Sequence, residues 1–445
     1  MPTPRVTHGW TPAAAAVSTA AWGANQFTPL TSVYRMSAHW HSVSLTAMFS
    51  TYLLGLAPGL LLGGPAADRH GRRRVVRCAL VLCAAASVTL ALAAVSEVAV
   101  YVSRLATGVA AGCVFAAGTA WLRELSTASG RPDAGARRAV YATGSGFVAG
   151  ALAAGALAEW APFPTAVPCL VHALVCLLVL GATGGVPETA PRRAVTRRRP
   201  HPARLLRAAV GHPRFRWVVL PATPAVFGAA TVAYVVLPPL VAGHVPGHAP
   251  LFSGLVAALT LAVGAVVQPW AARLDHACGG RATLVAMATV IAGLLVGALA
   301  VRRGSAGLVV TAAIVLGAGY GLALASGLRE MERLAPESFR PSAATLYQIT
   351  ASGGFLTPLL LAVTADAVSY PAQLESMATI GVLCLVVAAT YSRRHPPRPG
   401  TPPAGYFRAP AAGARPAGGT DGRSAAGDRT AQPRGSAPND RTRSR

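Results

Sequence analysis

The chain has no lysine, few charges of any kind and few aromatic rings. Charged residues make up 12% and aromatics 6% of its 445 residues, whereas about a quarter of an ordinary soluble domain is charged. That shortage excludes a fully water-exposed surface and points to lipid as the solvent for much of the chain. Cysteine is sparse as well. Of the seven, six lie inside apolar runs and none forms a C-x-x-C spacing, so neither a disulfide framework nor a thiolate metal centre is indicated. The formal net charge of +24 comes from 39 arginines set between apolar runs rather than on one compact face, an arrangement that argues against nucleic acid as a partner.

Hydrophobic residues, by contrast, make up 53% of the chain, and the mean hydropathy is +0.47. A helix crossing a bilayer takes about 20 mostly apolar residues, because each buried amide must be bonded within its own segment. Apolar runs of about that length fall at 13–33, 42–63, 76–95, 98–119, 139–158, 165–184, 217–241, 251–271, 282–301, 305–327, 343–364 and 374–391. The uncharged stretch from Trp217 to Ala272 is too long for one crossing, and the turn signal from Gly243 to Pro250 divides it into a seventh and an eighth span. The first run is too long for a cleaved leader, has a weakly charged start and lacks a small-residue cleavage site, so it reads as a span.

Arginine-rich short loops stay in the cytoplasm. With both termini inside, 35 of the 39 arginines fall on cytoplasmic segments, Arg35, Arg302 and Arg303 fall outside, and Arg104 lies within the fourth span. Two markers recur at nearly one offset. Asp68 and Asp275 follow the second and eighth spans 207 residues apart, and Leu122-Arg123-Glu124 and Leu328-Arg329-Glu330 end the fourth and tenth spans 206 apart. A six-helix unit repeated in parallel accounts for both. The organisation expected is an N-terminal half over 1–185, a cytoplasmic linker over 186–216, a C-terminal half over 217–391 and a disordered basic cytoplasmic tail over 392–445. Within the linker, the stretch from Arg204 to Val210 suits a short interfacial helix.

Between the second and third spans stands Gly64-Pro65-Ala66-Ala67-Asp68-Arg69-His70-Gly71-Arg72-Arg73-Arg74. This loop resembles the G-x-x-x-D-R-x-G-R-R signature of the major facilitator superfamily. The resemblance covers about residues 13–391 and implies an all-α integral membrane protein, with twelve transmembrane helices as two six-helix bundles. Gly64 would let helices approach closely. Asp68 lies on the same side of the membrane as the start of the eleventh span near Pro341 and Ser342, whose positive end suits a gate latch. The family implies the same latch, with Arg69 and Gly71 part of the loop and with Arg72 and Arg73 at anionic head groups. A degraded second copy, Arg273-Leu274-Asp275-His276 followed by Gly280-Arg281, supports the repeat.

Arg104 with Gly108 resembles the family's fourth-span R-x-x-x-G, whose arginine is associated with proton handling. The bland reading of Arg104 is a side chain snorkelling to the outer surface. Gly146, Gly150 and Gly155 in the fifth span resemble the exporter motif G-x-x-x-G-P-x-x-G-G, although Ala151 stands at the proline and Ala154 at one glycine. Generic small-residue packing explains the same pattern.

Polar groups at span depth, and so candidates for a substrate path, are Asn25, Gln26, Tyr141, His172, Tyr234, Tyr347 and Gln348. The carboxylates Glu97, Glu159, Asp366 and Glu375 sit at the outer boundary and Glu124 and Glu330 at the inner one. With none mid-membrane, neutral, lipophilic or weakly anionic substrates are favoured over permanent cations. The expectation is a multi-pass transporter in the cytoplasmic membrane, acting as a monomer with a small-molecule substrate, protons and membrane lipids as partners and no cofactor or metal. Proton-coupled efflux by alternating access is the leading mode, with the drug:proton antiporter branch the closest resemblance. Uptake of a small metabolite is the alternative, and a membrane-embedded enzyme the weakest, since the spans offer no paired acids or activated nucleophile.

Overall fold

The computed structural model describes residues 9–92, 96–189, 213, 215–277, 281–334 and 340–394. The expected interfacial helix at 204–210 and the expected disorder of the tail beyond Arg394 lie outside the described residues. Among those described the secondary structure is helical, with no strand. Eleven helices are long and apolar enough to cross a bilayer. The remaining expected span, the first, is present as two pieces, Thr11–Asn25 and Phe27–Ser37.

Pro29 explains that break. It has no amide hydrogen to offer the carbonyl of Asn25 four residues earlier, and its ring crowds that carbonyl. The following spans are Ser42–His70, Arg72–Leu92, Glu97–Ala128, Pro132–Trp160 and Val167–Ala182. The seventh is segmented, with π-helical stretches Phe215–Val219 and Val232–Val236 around Leu220–Thr231. Next come Ala249–Val267, Ala282–Arg303 and Ala306–Leu334. The eleventh runs Arg340–Ser352, then a 3-10 turn, then Thr357–Val363, and the twelfth is Tyr370–Arg394.

Helix pairings repeat with a shift of six. The second packs on the fourth as the eighth packs on the tenth, the first on the fifth as the seventh on the eleventh, and the third on the sixth as the ninth on the twelfth. Between the two sets, the fifth contacts the eighth and the second contacts the eleventh, which are equivalent under the same shift. Glycines allow the tightest crossings. A Cβ at Gly112 would lie 2.6 Å from the Leu56 carbonyl oxygen, and one at Gly321 would overlap that of Gly264. Large apolar side chains point outward along the spans, Leu54, Leu178 and Leu383 among them, as expected where lipid replaces water.

Candidate functional site

The signature loop is tied to three helix ends. Asp68 pairs with Arg72 at 2.7 Å, and Arg72 also reaches Glu124 at 3.3 Å at the foot of the fourth span. The third helix begins at Arg72, where amide hydrogens are left without helical partners. Glu188, just past the sixth span, accepts from the Arg72 amide at 2.7 Å and the Arg73 amide at 3.0 Å. Gly71 has φ +97°, a backbone conformation that requires glycine, and a Cβ there would also displace the Glu188 carboxylate. The guanidinium of Arg73 donates to the carbonyls of Gly184 and Val186 at 3.1 and 3.2 Å.

Arg72 and Arg73 were expected at lipid head groups, and the structure corrects this. Arg72 is buried between two carboxylates, and Arg73 is bound to carbonyls left free where the sixth helix ends. Arg69 and Arg74 are the exposed arginines of the loop. Gly64 is buried, but its neighbour Gly63 makes the close approach, where a Cβ would lie 2.7 Å from Cys113 Cα. Contact between Asp68 and the eleventh helix start falls on Pro341 and Ser342, whose side chains lie outside the described residues. In the second half, Asp275 accepts from the Ala282 amide at 3.3 Å and pairs with Arg333 at 3.0 Å. Glu188 was missed in the sequence, where its only signal is the Pro187-Glu188-Thr189 stop after an apolar run.

A second centre lies where the two sets of helices meet. Arg104, about 10 Å along the fourth helix from Glu97, is 1% exposed. Its Nη1 donates to the carbonyl oxygen of Ala24 at 3.4 Å, beside the break in the first span. Among the described residues its Nε and Nη2 have no hydrogen-bond partner. Three rings surround the guanidinium instead, Phe27, Tyr52 and Phe49, with centroids 4.8, 5.0 and 6.0 Å away. Such contacts stabilise a cation without neutralising it. A snorkelling Arg104 is therefore excluded by its burial.

Gly108, one turn further along, positions this box, since a Cβ there would overlap the carbonyl oxygen of Tyr52. Contact of the two backbones at that point sets the Tyr52 ring over Arg104. The void that Arg104 borders is about 20 Å³, room for about one water. Asn25 and Tyr234 line it, as do the aromatic residues Phe147, Phe227 and Phe355, and no lining residue is acidic.

Of the other candidates, Gln26 and His172 belong to a buried network inside the first half. Gln26 Nε2 donates to Ser87 Oγ at 3.0 Å, Ser87 Oγ lies 2.7 Å from His172 Nδ1, and His172 Nε2 lies 2.9 Å from the carbonyl of Thr19. The acceptor at Nε2 requires a proton there, so Nδ1 accepts from Ser87 when the ring is neutral. Tyr347 donates to the Ala323 carbonyl at 2.8 Å and ties the eleventh span to the tenth. Tyr141 is 57% exposed, and Gln348 is half-buried. None of these five lines the void.

The fifth-span glycines divide between two neighbours. A Cβ at Gly146 would overlap the Ser18 carbonyl and one at Gly150 would lie 2.6 Å from that of Trp22, both on the first span. Gly155 faces Pro250 and Gly254 of the eighth span, at 3.0 and 3.1 Å for a Cβ. Below it, a Cβ at Gly254 would lie 2.6 Å from the Ala151 carbonyl, so Ala151 itself contributes to the seam. Glu159 reinforces the seam, pairing with His248 at 2.7 Å and accepting from the Leu251 amide at 3.4 Å.

Eleven continuous apolar spans and a broken first one, in two similarly packed sets with a largely aromatic void holding Arg104 at their seam, are the architecture of a membrane transport protein. A profile of the Major Facilitator Superfamily matches residues 13–299, and the chain belongs to that superfamily. It is a transporter, not an enzyme. Among solved structures it is similar to a mutant of the nucleoside transporter NupG, with TM-score 0.68 and 13% identity over 87% of this chain and 99% of that one. A mutant of the peptide transporter POT in complex with sulfate gives 0.69 and 15% over 86% and 95%, respectively. A POT family transporter in complex with 5-aminolevulinic acid gives 0.69 and 11% over 88% and 97%. At these identities the likeness is one of fold. No curated protein matches the sequence significantly.

Proposed function

We propose that the chain exports a small organic molecule across the cytoplasmic membrane by alternating access, coupled to protons, with Arg104 as the coupling residue. The observation that carries this reading is a buried cation without a counter-ion, bordering a void at the seam that must open and close. An arginine keeps its own proton. Its role is therefore electrostatic: whatever enters the void, proton or substrate, changes the cost of burying that charge and so the balance between the two access states. The resemblance of Gly146, Gly150 and Gly155 to the exporter motif supports export, with Gly155 packed on the eighth span and the other two on the first.

In this reading Asp68, held by Arg72 in the network that Glu124 and Glu188 complete within the first half, closes a cytoplasmic latch against the start of the eleventh span, residues 186–216 link two mobile halves, both termini lie in the cytoplasm and the protein works as a monomer. Uptake of a small metabolite is the competing direction. One experiment separates them: substrate-dependent proton flux in proteoliposomes of known orientation. Proton movement opposite to substrate is expected, and movement in the same direction would refute antiport.

A further inference from the structure

The unpartnered atoms of Arg104 are not an arbitrary pair. Nε and Nη2 are the two donors on one edge of the guanidinium, the fork that matches the two oxygens of a carboxylate. The opposite corner, Nη1, is already held by the Ala24 carbonyl. So one complete edge is left free, on a side chain that is 1% exposed and borders the central void. Cation–π contacts cover the faces of the group and leave its charge unneutralised.

Among the described residues no acidic one lines the void to neutralise it, and apart from Asn25 the walls are otherwise aromatic or aliphatic. A cationic occupant would face an unscreened like charge. A neutral one would leave the buried charge without a counter-charge, and one without an acceptor would leave both donors unsatisfied as well, the costly condition for a polar group out of water. An anion with a flat apolar body satisfies all of these surfaces at once. With space for about one water in the closed seam, such a molecule enters while the seam is open, and the rings of Phe227 and Phe355 then close against it.

We propose that the transported molecule is a small aromatic monocarboxylate, held by a two-pronged pair to the Nε and Nη2 edge of Arg104 and by the rings around the void. This rests on the transport reading above and adds the substrate class. The test uses the full-length purified protein in lipid nanodiscs at pH 7, titrated calorimetrically with benzoate and phenylacetate, with benzamide as neutral isostere and benzylamine as cation.

The wild-type protein is expected to bind at least one of the two carboxylates about tenfold or more tighter than benzamide, the scale of one charge-assisted pair, and to bind benzylamine weakest. This arm depends on no variant. Arg104→Gln is expected to bring the carboxylate down to the level of benzamide, and Arg104→Lys, which keeps charge but loses the fork, to weaken it at least tenfold. Equal binding of carboxylate and amide by the wild type, absence of binding by both carboxylates, or a preference retained in a folded Arg104→Gln protein would each overturn the proposal. Direction is read separately in inverted vesicles. Carboxylate binding through Arg104 without accumulation in those vesicles refutes export and leaves the anion site standing, whereas accumulation of a neutral compound unaffected by Arg104→Gln overturns the anion site and the coupling role of Arg104 and leaves export standing.

Discussion

Gly108→Ala adds one methyl group at the point where the second and fourth spans touch. The new Cβ would overlap the Tyr52 carbonyl oxygen and lie 2.8 Å from the Leu56 amide nitrogen, where ordinary contact begins at 3.4 Å. Relief at Leu56 alone needs the helices to part by the difference, 0.6 Å, and the overlap at Tyr52 needs more. Backbone atoms cannot rotate out of the way as a flexible side chain can. Overpacking of this kind costs about 1–3 kcal/mol, against a gain of roughly 0.5–1 kcal/mol from replacing glycine within a helix. The net expectation is destabilisation by about 1–2 kcal/mol, together with displacement of Tyr52 from Arg104 and impaired transport. Gly181→Ala is the control, since a Cβ there meets nothing within 4 Å. Thermal melts of the purified variants and vesicle uptake measure the two effects. If Gly108→Ala melts and transports like Gly181→Ala, the crossing is looser than described and does not position the site.

Glu188→Gln removes the carboxylate that caps the third helix, and a stability loss of about 1 kcal/mol is expected, the scale of a lost helix cap; an unchanged melting temperature would show that the cap contributes nothing. Asp68→Asn should slow turnover while leaving substrate affinity within about twofold, because the residue lies in the cytoplasmic loop rather than at the void; a large loss of affinity with normal turnover would count against a latch. A reporter fused to the C-terminus should register in the cytoplasm, given the arginine bias, and a signal on the far side would mean an odd error in the number of spans.

Depth along each helix was legible in the sequence; rotation about its axis was not. Apolar length and arginine placement marked the spans, and the lone formal charge marked Arg104. In a soluble protein an amphipathic stripe would also reveal which side of a helix faces inward. Here lipid and core are both apolar, so Tyr141 and Tyr234 look alike in sequence, although one is exposed and the other lines the void. For the same reason the sequence does not show that Gln26 and His172, both read as path candidates, are bonded to one shared residue, Ser87, within one half. The box around Arg104 escaped because Phe27, Phe49 and Tyr52 belong to two other spans and converge only through the break at Pro29 and the crossing at Gly108. A proline four residues beyond Asn25 was the available signal for the break.

A solitary buried cation also makes the cycle sensitive to voltage. An elementary charge crossing the whole field gains or loses about 2.3 kcal/mol per 100 mV, and a switch in access moves Arg104 relative to that field by some fraction of this. With the cell interior negative, the empty carrier is drawn toward the state that connects Arg104 to the cytoplasm. On the export and anion-site proposals above, a carboxylate paired with the guanidinium would leave the site without net charge, and the loaded step would run against no voltage. The membrane potential would then act on the return step alone, in which the unpaired guanidinium and the proton of the proposed antiport are both drawn toward the cytoplasm.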